Sequence, residues 1–171
     1  MGYASLFTTI AEIAGVFVGF AALIGVTHRS ETGTFQRARI QAVVTTGLLV
    51  VLAALVPVAL ESYRLTDRAL WVTSSAAYLL LNWAAIGLAL RGSDNRRVAR
   101  TQARETPVVI TLFWALEVAV QGPLLLVLLG VNPALDEAFY RTALVVHLFE
   151  AAFVLAQLVY SPGAQRRATP V

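Results

Sequence analysis

The stretch IQAVVTTGLLVVLAALVPVAL, Ile40 to Leu60, carries no charged residue. At about 1.5 Å of rise per residue it makes a helix roughly 31 Å long. That length matches the hydrocarbon core of a bilayer, about 30 Å thick. Lipid offers no water to backbone N–H and C=O groups, so only helices and closed barrels cross it. The alternating strands of roughly ten residues that a barrel needs are missing here. The segment reads as a transmembrane helix.

Four further segments of this kind flank it, at Ala4 to Val26, Ala69 to Leu90, Thr106 to Gly130 and Phe139 to Tyr160. The expected fold class is therefore all-α, a polytopic membrane protein formed by a bundle of five transmembrane helices with no soluble domain. Composition agrees. Of the 171 residues 58% are hydrophobic and 13% are charged, against about 25% charged in a soluble domain. The mean hydropathy is +0.72. A soluble core of this size could not hide so much apolar surface, and a disordered chain would be poorer in it. The absence of cysteine excludes disulfides, iron–sulfur clusters, thiolate zinc sites and cysteine nucleophiles.

The connections are short and hold most of the charge. All 13 basic residues are arginines. Loop one carries Arg29, Arg37 and Arg39; loop three carries Arg91, Arg96, Arg97, Arg100 and Arg104; the tail carries Arg166 and Arg167. Only Arg64, Arg68 and Arg141 fall on the opposite side. The positive-inside rule then expects the N-terminus outside and the C-terminus in the cytoplasm of a plasma (bacterial inner) membrane. Anionic lipid headgroups, not nucleic acid, are the expected partner of these arginines. The third loop, RRVARTQAR, has arginines at helical spacing and could lie on the membrane surface. The first segment lacks a basic leader and contains Glu12, so it is expected to be a retained helix and not a signal peptide.

Carboxylates at bilayer depth are costly and usually functional. Glu12 should lie about 12 Å from the outer end of its span and Glu150 about 16 Å from the outer end of its own. Glu117 falls near the middle of the fourth span. Polar neighbours share their helical faces: His147, Glu150 and Gln157 in the fifth span, Trp114, Glu117 and Gln121 in the fourth, and Ser75, Tyr78 and Asn82 in the third. Pro57 and Pro123 remove backbone donors and free the carbonyls of Ala53 and Ala119. The carbonyl of Ala119 is expected beside Gln121.

Two readings of this polar set stand side by side. In one, neutral glutamates hydrogen-bond across helices and hold the bundle together. In the other, Glu12, Glu117, Glu150, His147, Gln121 and Asn82 form a path or binding site for protons or cations. A metal site would combine His147 and Glu150 with the other glutamates, although the arrangement lacks the paired Glu-x-x-His motifs of diiron bundles. No cofactor is expected, while a bound cation is compatible with the set. A bis-histidine haem would need both His28 and His147, and His28 belongs near the interface.

In the first helix Gly15 and Gly19 form a GxxxG motif. Glu12, Gly15, Val16, Gly19, Leu23 and Val26 fall on one broad face, suited either to helix packing or to lining a pore between subunits. This glutamate-then-apolar order resembles the pore helix of Orai-type calcium channels. That family has four spans and a cytoplasmic N-terminus, and none of its properties is carried over. No HExxH, GxGxxG or Ser–His–Asp arrangement points to an enzyme. The expected function is a small homo-oligomeric membrane channel or transport protein for cations or protons. The alternative is a non-catalytic accessory or scaffold subunit of a larger membrane complex.

Overall fold

The structure is a computed structural model that describes residues 3–27, 34–92, 101 and 107–160. His28, most of the third loop and the tail after 160 lie outside the described residues, so the expected surface helix and the tail arginines are not placed. The described chain forms α1 (Tyr3–Thr27), α2 (Thr34–Ser62), α3 (Asp67–Arg91), α4 (Pro107–Leu129) and α5 (Asp136–Tyr160), with one 3₁₀ turn at Pro133–Leu135. No strand is present among the described residues. All five helices are long and apolar enough to cross a membrane. The largest departure from the expected boundaries is at α2, which begins six residues earlier through TFQRAR.

The outside of the bundle is apolar. Phe20, Leu23, Leu80, Trp83, Val118 and Phe149 are all exposed, a surface suited to lipid and unsuited to water. Inside, α5 packs against each of the other four helices, and α1, α2 and α3 each pack against the next helix in the chain. The inner seam of α1 runs through Phe7, Ile10, Ala14, Phe17, Ala21 and Ile24. This alternating spacing of three and four is the one that helices packed at a shallow angle require.

Small residues set the α1–α2 approach, at positions other than the GxxxG pair. A Cβ added at Gly47 would stand 2.5 Å from Cγ2 of Val18. Gly15 and Gly19, by contrast, have nothing within 4 Å among the described residues. They lie on the exposed face of α1, turned away from the other described helices.

Aromatic packing and one backbone hydrogen bond fix the centre. Phe7, Trp71, Tyr140 and Tyr78 contact one another with ring centroids 5.7–6.1 Å apart. Such pairs contribute about 0.5–1.5 kcal/mol each beyond the area they bury. The Tyr140 hydroxyl donates to the carbonyl of Ala53 at 2.6 Å. This is the carbonyl that Pro57 deprives of its helical partner, so a side chain from α5 completes the backbone of α2.

Both helix ends on the α2–α3 and α4–α5 side close with the same hydrogen-bond pattern. Arg64 N–H bonds to the Glu61 carbonyl and Leu65 N–H to the Leu60 carbonyl. Gly130 N–H bonds to Val127 and Val131 N–H to Leu126 in the same way. The pattern needs a left-handed residue, supplied by Gly130 (φ +66°) and, against the usual preference, by Arg64 (φ +63°). At Gly130 a side chain would also collide with the guanidinium of Arg68. Arg68 in turn reaches the buried Asp136, with Nε 4.0 Å from Oδ2.

Candidate functional site

α3 buries one continuous face made of Leu70, Trp71, Ser74, Ser75, Tyr78, Leu79 and Asn82. Four of these carry hydroxyl or amide groups, and between Arg68 and Arg91 Thr73 is the one other polar side chain of the helix. α4 presents Glu117 from a buried face that also holds Val120, Leu124 and Val127. α5 presents His147 and Glu150, each 1% exposed. Tyr78 and His147 both sit about three turns into their helices, and Glu117 sits about three turns from the end of its own. The three helices therefore deliver their polar groups to one level near mid-span.

Hydrogen bonds tie these groups together. The Tyr78 hydroxyl and Nδ1 of His147 are 2.6 Å apart, and the two rings stack with an interplanar angle of 11°. When the imidazole carries its proton on Nε2, Tyr78 is the donor. Oε2 of Glu117 accepts from Nδ2 of Asn82 and from Nε2 of Gln121, each at 3.0 Å. Both amides donate to the same oxygen, so any proton on Glu117 resides on Oε1. Glu150 lies one turn beyond His147 on the same buried face of α5. Its Oε2 is buried with no hydrogen-bond partner, as are the hydroxyls of Ser74 and Ser75.

Five of the six sequence-derived site residues thus belong to one interior cluster: Asn82, Glu117, Gln121, His147 and Glu150. Glu12 does not join them. It lies on the exposed face of α1 together with Gly15, Val16, Gly19, Leu23 and Val26, a face turned away from the bundle. Trp114 is half exposed and packs edge-on against Phe113 instead of extending the Glu117 stripe. Ala119 is also exposed, so the Pro123 break lies on the outer side of α4 and not over the cluster.

Tyr78 is the residue of this interior whose place the spacing understated. It appears in the α3 stripe, but its pairing with His147 depends on helix rotation, which spacing does not report. Among the described residues, no group of three or more His, Cys, Asp or Glu side chains is arranged to hold a metal ion. What the interior offers at this level is a phenol–imidazole pair, a carboxyl held by two amides and a second carboxyl with an unpartnered oxygen, all buried. Such a set can take up, hold and pass a proton.

No protein family, curated protein or solved structure matches this chain.

Proposed function

We propose that this chain is a small membrane transport protein for protons or cations that works as a homo-oligomer in a plasma membrane, with its N-terminus outside. Glu117 and Glu150 are its charge-bearing groups, and His147 relays or tunes the proton. The observation that carries this reading is the burial of Glu117, Glu150 and His147, from two helices, near mid-span, with Glu117 held by two amides and His147 by Tyr78. Structural glue alone needs one satisfied polar pair per contact. Two carboxyls buried at bilayer depth are expensive, and that expense is the usual mark of a charge-carrying site.

Flux through purified protein in liposomes tests it. Glu117→Gln and Glu150→Gln keep size and hydrogen-bonding capacity but cannot carry a proton, and each should lower proton or cation flux by about an order of magnitude or more. If both variants conduct like the parent, the interior cluster does not carry charge.

One observation favours the second reading, an accessory subunit of a larger membrane complex. The outer face of α1 is uncovered and holds a glutamate, Glu12, at bilayer depth. A partner helix from another protein could supply its hydrogen-bond donor. This reading expects co-purification with other chains and no flux from the protein alone.

A further inference from the structure

The polar interior is lopsided along the bundle axis. Beside the α2–α3 turn, a cavity of about 280 Å³ opens between Glu61, Asp67 and Glu137, with Leu70 and Trp71 among its lining. Leu70 and Trp71 are buried, so they form its inner wall. One turn deeper on the same face of α3 come Ser74 and Ser75, both 0% exposed and both with unpartnered hydroxyls. One turn deeper again, Tyr78 meets His147, and Glu150 follows one turn along α5 with its unpartnered Oε2.

Beyond Glu150 the character changes. The same face of α5 continues as Val154 and Leu158, which pack with Ala21 and Val43 into a separate apolar cluster. Ile24, Ile40, Val44 and Leu155 close around it. Among the described residues, this end of the bundle, toward the arginine-rich loops, has no fully buried polar side chain; Gln157 and Arg39 are half-buried there, with Arg39 Nε unpartnered.

Buried hydroxyls and carboxyl oxygens that lack protein partners recruit ordered water when the site is polar enough to hold it. The Ser74 and Ser75 hydroxyls lie on the cavity side of the Tyr78–His147 pair and Glu150 Oε2 lies just beyond it, while both oxygens of Asp136 also lack a hydrogen-bond partner at the cavity end of α5. Phe7, Trp71, Tyr140 and Tyr78 pack ring against ring between the cavity and His147, an arrangement that favours a proton over a hydrated cation. A proton needs no bore, because it moves between hydroxyls and single waters.

We infer that Ser74, Ser75, Tyr78 and His147 form a proton-access column that connects Glu150 to the cavity side of the membrane and not to the arginine-rich side. The inference deepens the proposed transport function: it names the proton as the species and gives the side from which the site is loaded. The titratable groups buried nearest Glu150 are His147 on its own helix, Tyr78 on α3 and Glu117 on α4. The buried faces of α1 and α2 bring only apolar side chains.

The test reads protonation directly. The full-length protein is reconstituted into liposomes in a single orientation, and the pH is stepped on one side at a time. The infrared carboxyl band that disappears in Glu150→Gln reports the site. The step on the cavity side should change this band at least about tenfold faster than the opposite step, the mark of one dominant barrier. Ser74→Ala with Ser75→Ala should slow the cavity-side response by a similar factor, whereas Ser74→Thr with Ser75→Thr, which keeps the hydroxyls, should preserve it. Leu158→Ser, which places a hydroxyl in the apolar seal, should speed the response from the other side.

Equal rates from both sides, a faster response from the arginine-rich side, or no Glu150 band at any pH would overturn the inference. So would an unchanged rate in a folded double-alanine variant. A one-sided band response in a protein without flux would sink the transport reading and leave the access column standing. Flux with a two-sided response would do the reverse.

Discussion

Glu117 receives two amide hydrogen bonds on one oxygen, and this makes the choice of substitution at that position informative. Glu117→Gln retains a carbonyl acceptor that can turn toward Asn82 and Gln121. Glu117→Leu removes it and strands two amide donors in a dry interior, at about 1–3 kcal/mol for each unsatisfied group. Thermal unfolding in detergent should therefore show a small shift for glutamine and a large one for leucine, while both variants lose flux. Equal shifts would mean that the hydrogen bonds do not form. At Tyr78, phenylalanine keeps the stack on His147 and removes only the hydroxyl; the same assay should register a loss of about 1–3 kcal/mol. Much at this scale was legible in the sequence. Glu117, Glu150 and His147 stand out because they interrupt apolar runs, and depth follows from counting residues along a span. Rotation about the helix axis does not follow from counting. That is why Glu12, at a depth comparable with the others, could not be separated from them until the buried seam of α1 was seen to run through Ile10 and Ala14.

Within single helices, the sequence marks where the backbone is broken but not what mends it. Pro57 announced a free carbonyl at Ala53, and Tyr140 supplies the donor from the first turns of α5, 87 residues away. The two are predicted to be coupled. Tyr140→Phe alone should destabilise the fold by about 1–3 kcal/mol, because it leaves a buried acceptor unpaired. After Pro57→Ala restores the N–H that serves the same carbonyl, the cost should shrink, and a double-mutant cycle measures the difference. Additive effects would mean that the hydroxyl is not the replacement donor. Glycines teach the same lesson about rotation. GxxxG drew attention to Gly15 and Gly19, yet the close approach of α1 to α2 rests on Gly47. Gly47→Ala should cost about 1–3 kcal/mol through overpacking against Val18, and Val18→Ala should recover part of it. Arg64 is the reverse case, a side chain in a left-handed position where glycine is preferred. Arg64→Gly should leave stability unchanged or raise it by up to about 1 kcal/mol, a result that unfolding midpoints would show.

At the scale of the whole molecule, the unbalanced element is α1. Its inner seam is covered by α2 and α5, while its outer face presents Glu12, two bare glycines and Val16, Leu23 and Val26. A glutamate facing hydrocarbon is costly, by about 2.5–3.5 kcal/mol for an acidic side chain at the helix centre on insertion scales. Flanking small residues let a second backbone come close enough to share that burden. Burial inside one protomer is no guide to such a face, which explains why the sequence could suggest association but not where the contact lies. The proposed homo-oligomer therefore makes a sharp prediction. Because nothing among the described residues lies within 4 Å of a Cβ added at Gly15 or Gly19, Gly15→Leu and Gly19→Leu should leave the protomer folded, with its Tyr78–His147 pair intact. The mass of the protein in mild detergent should nevertheless fall from an oligomer to a single chain, and Gly15→Ala should have a smaller effect in the same direction. Flux should fall with mass if the working unit is the assembly, and persist if each bundle works alone. A parent protein that is already monomeric, or leucine variants that keep the parent's mass, would remove this face from the account. The accessory-subunit reading would then rest on finding a different chain bound beside Glu12.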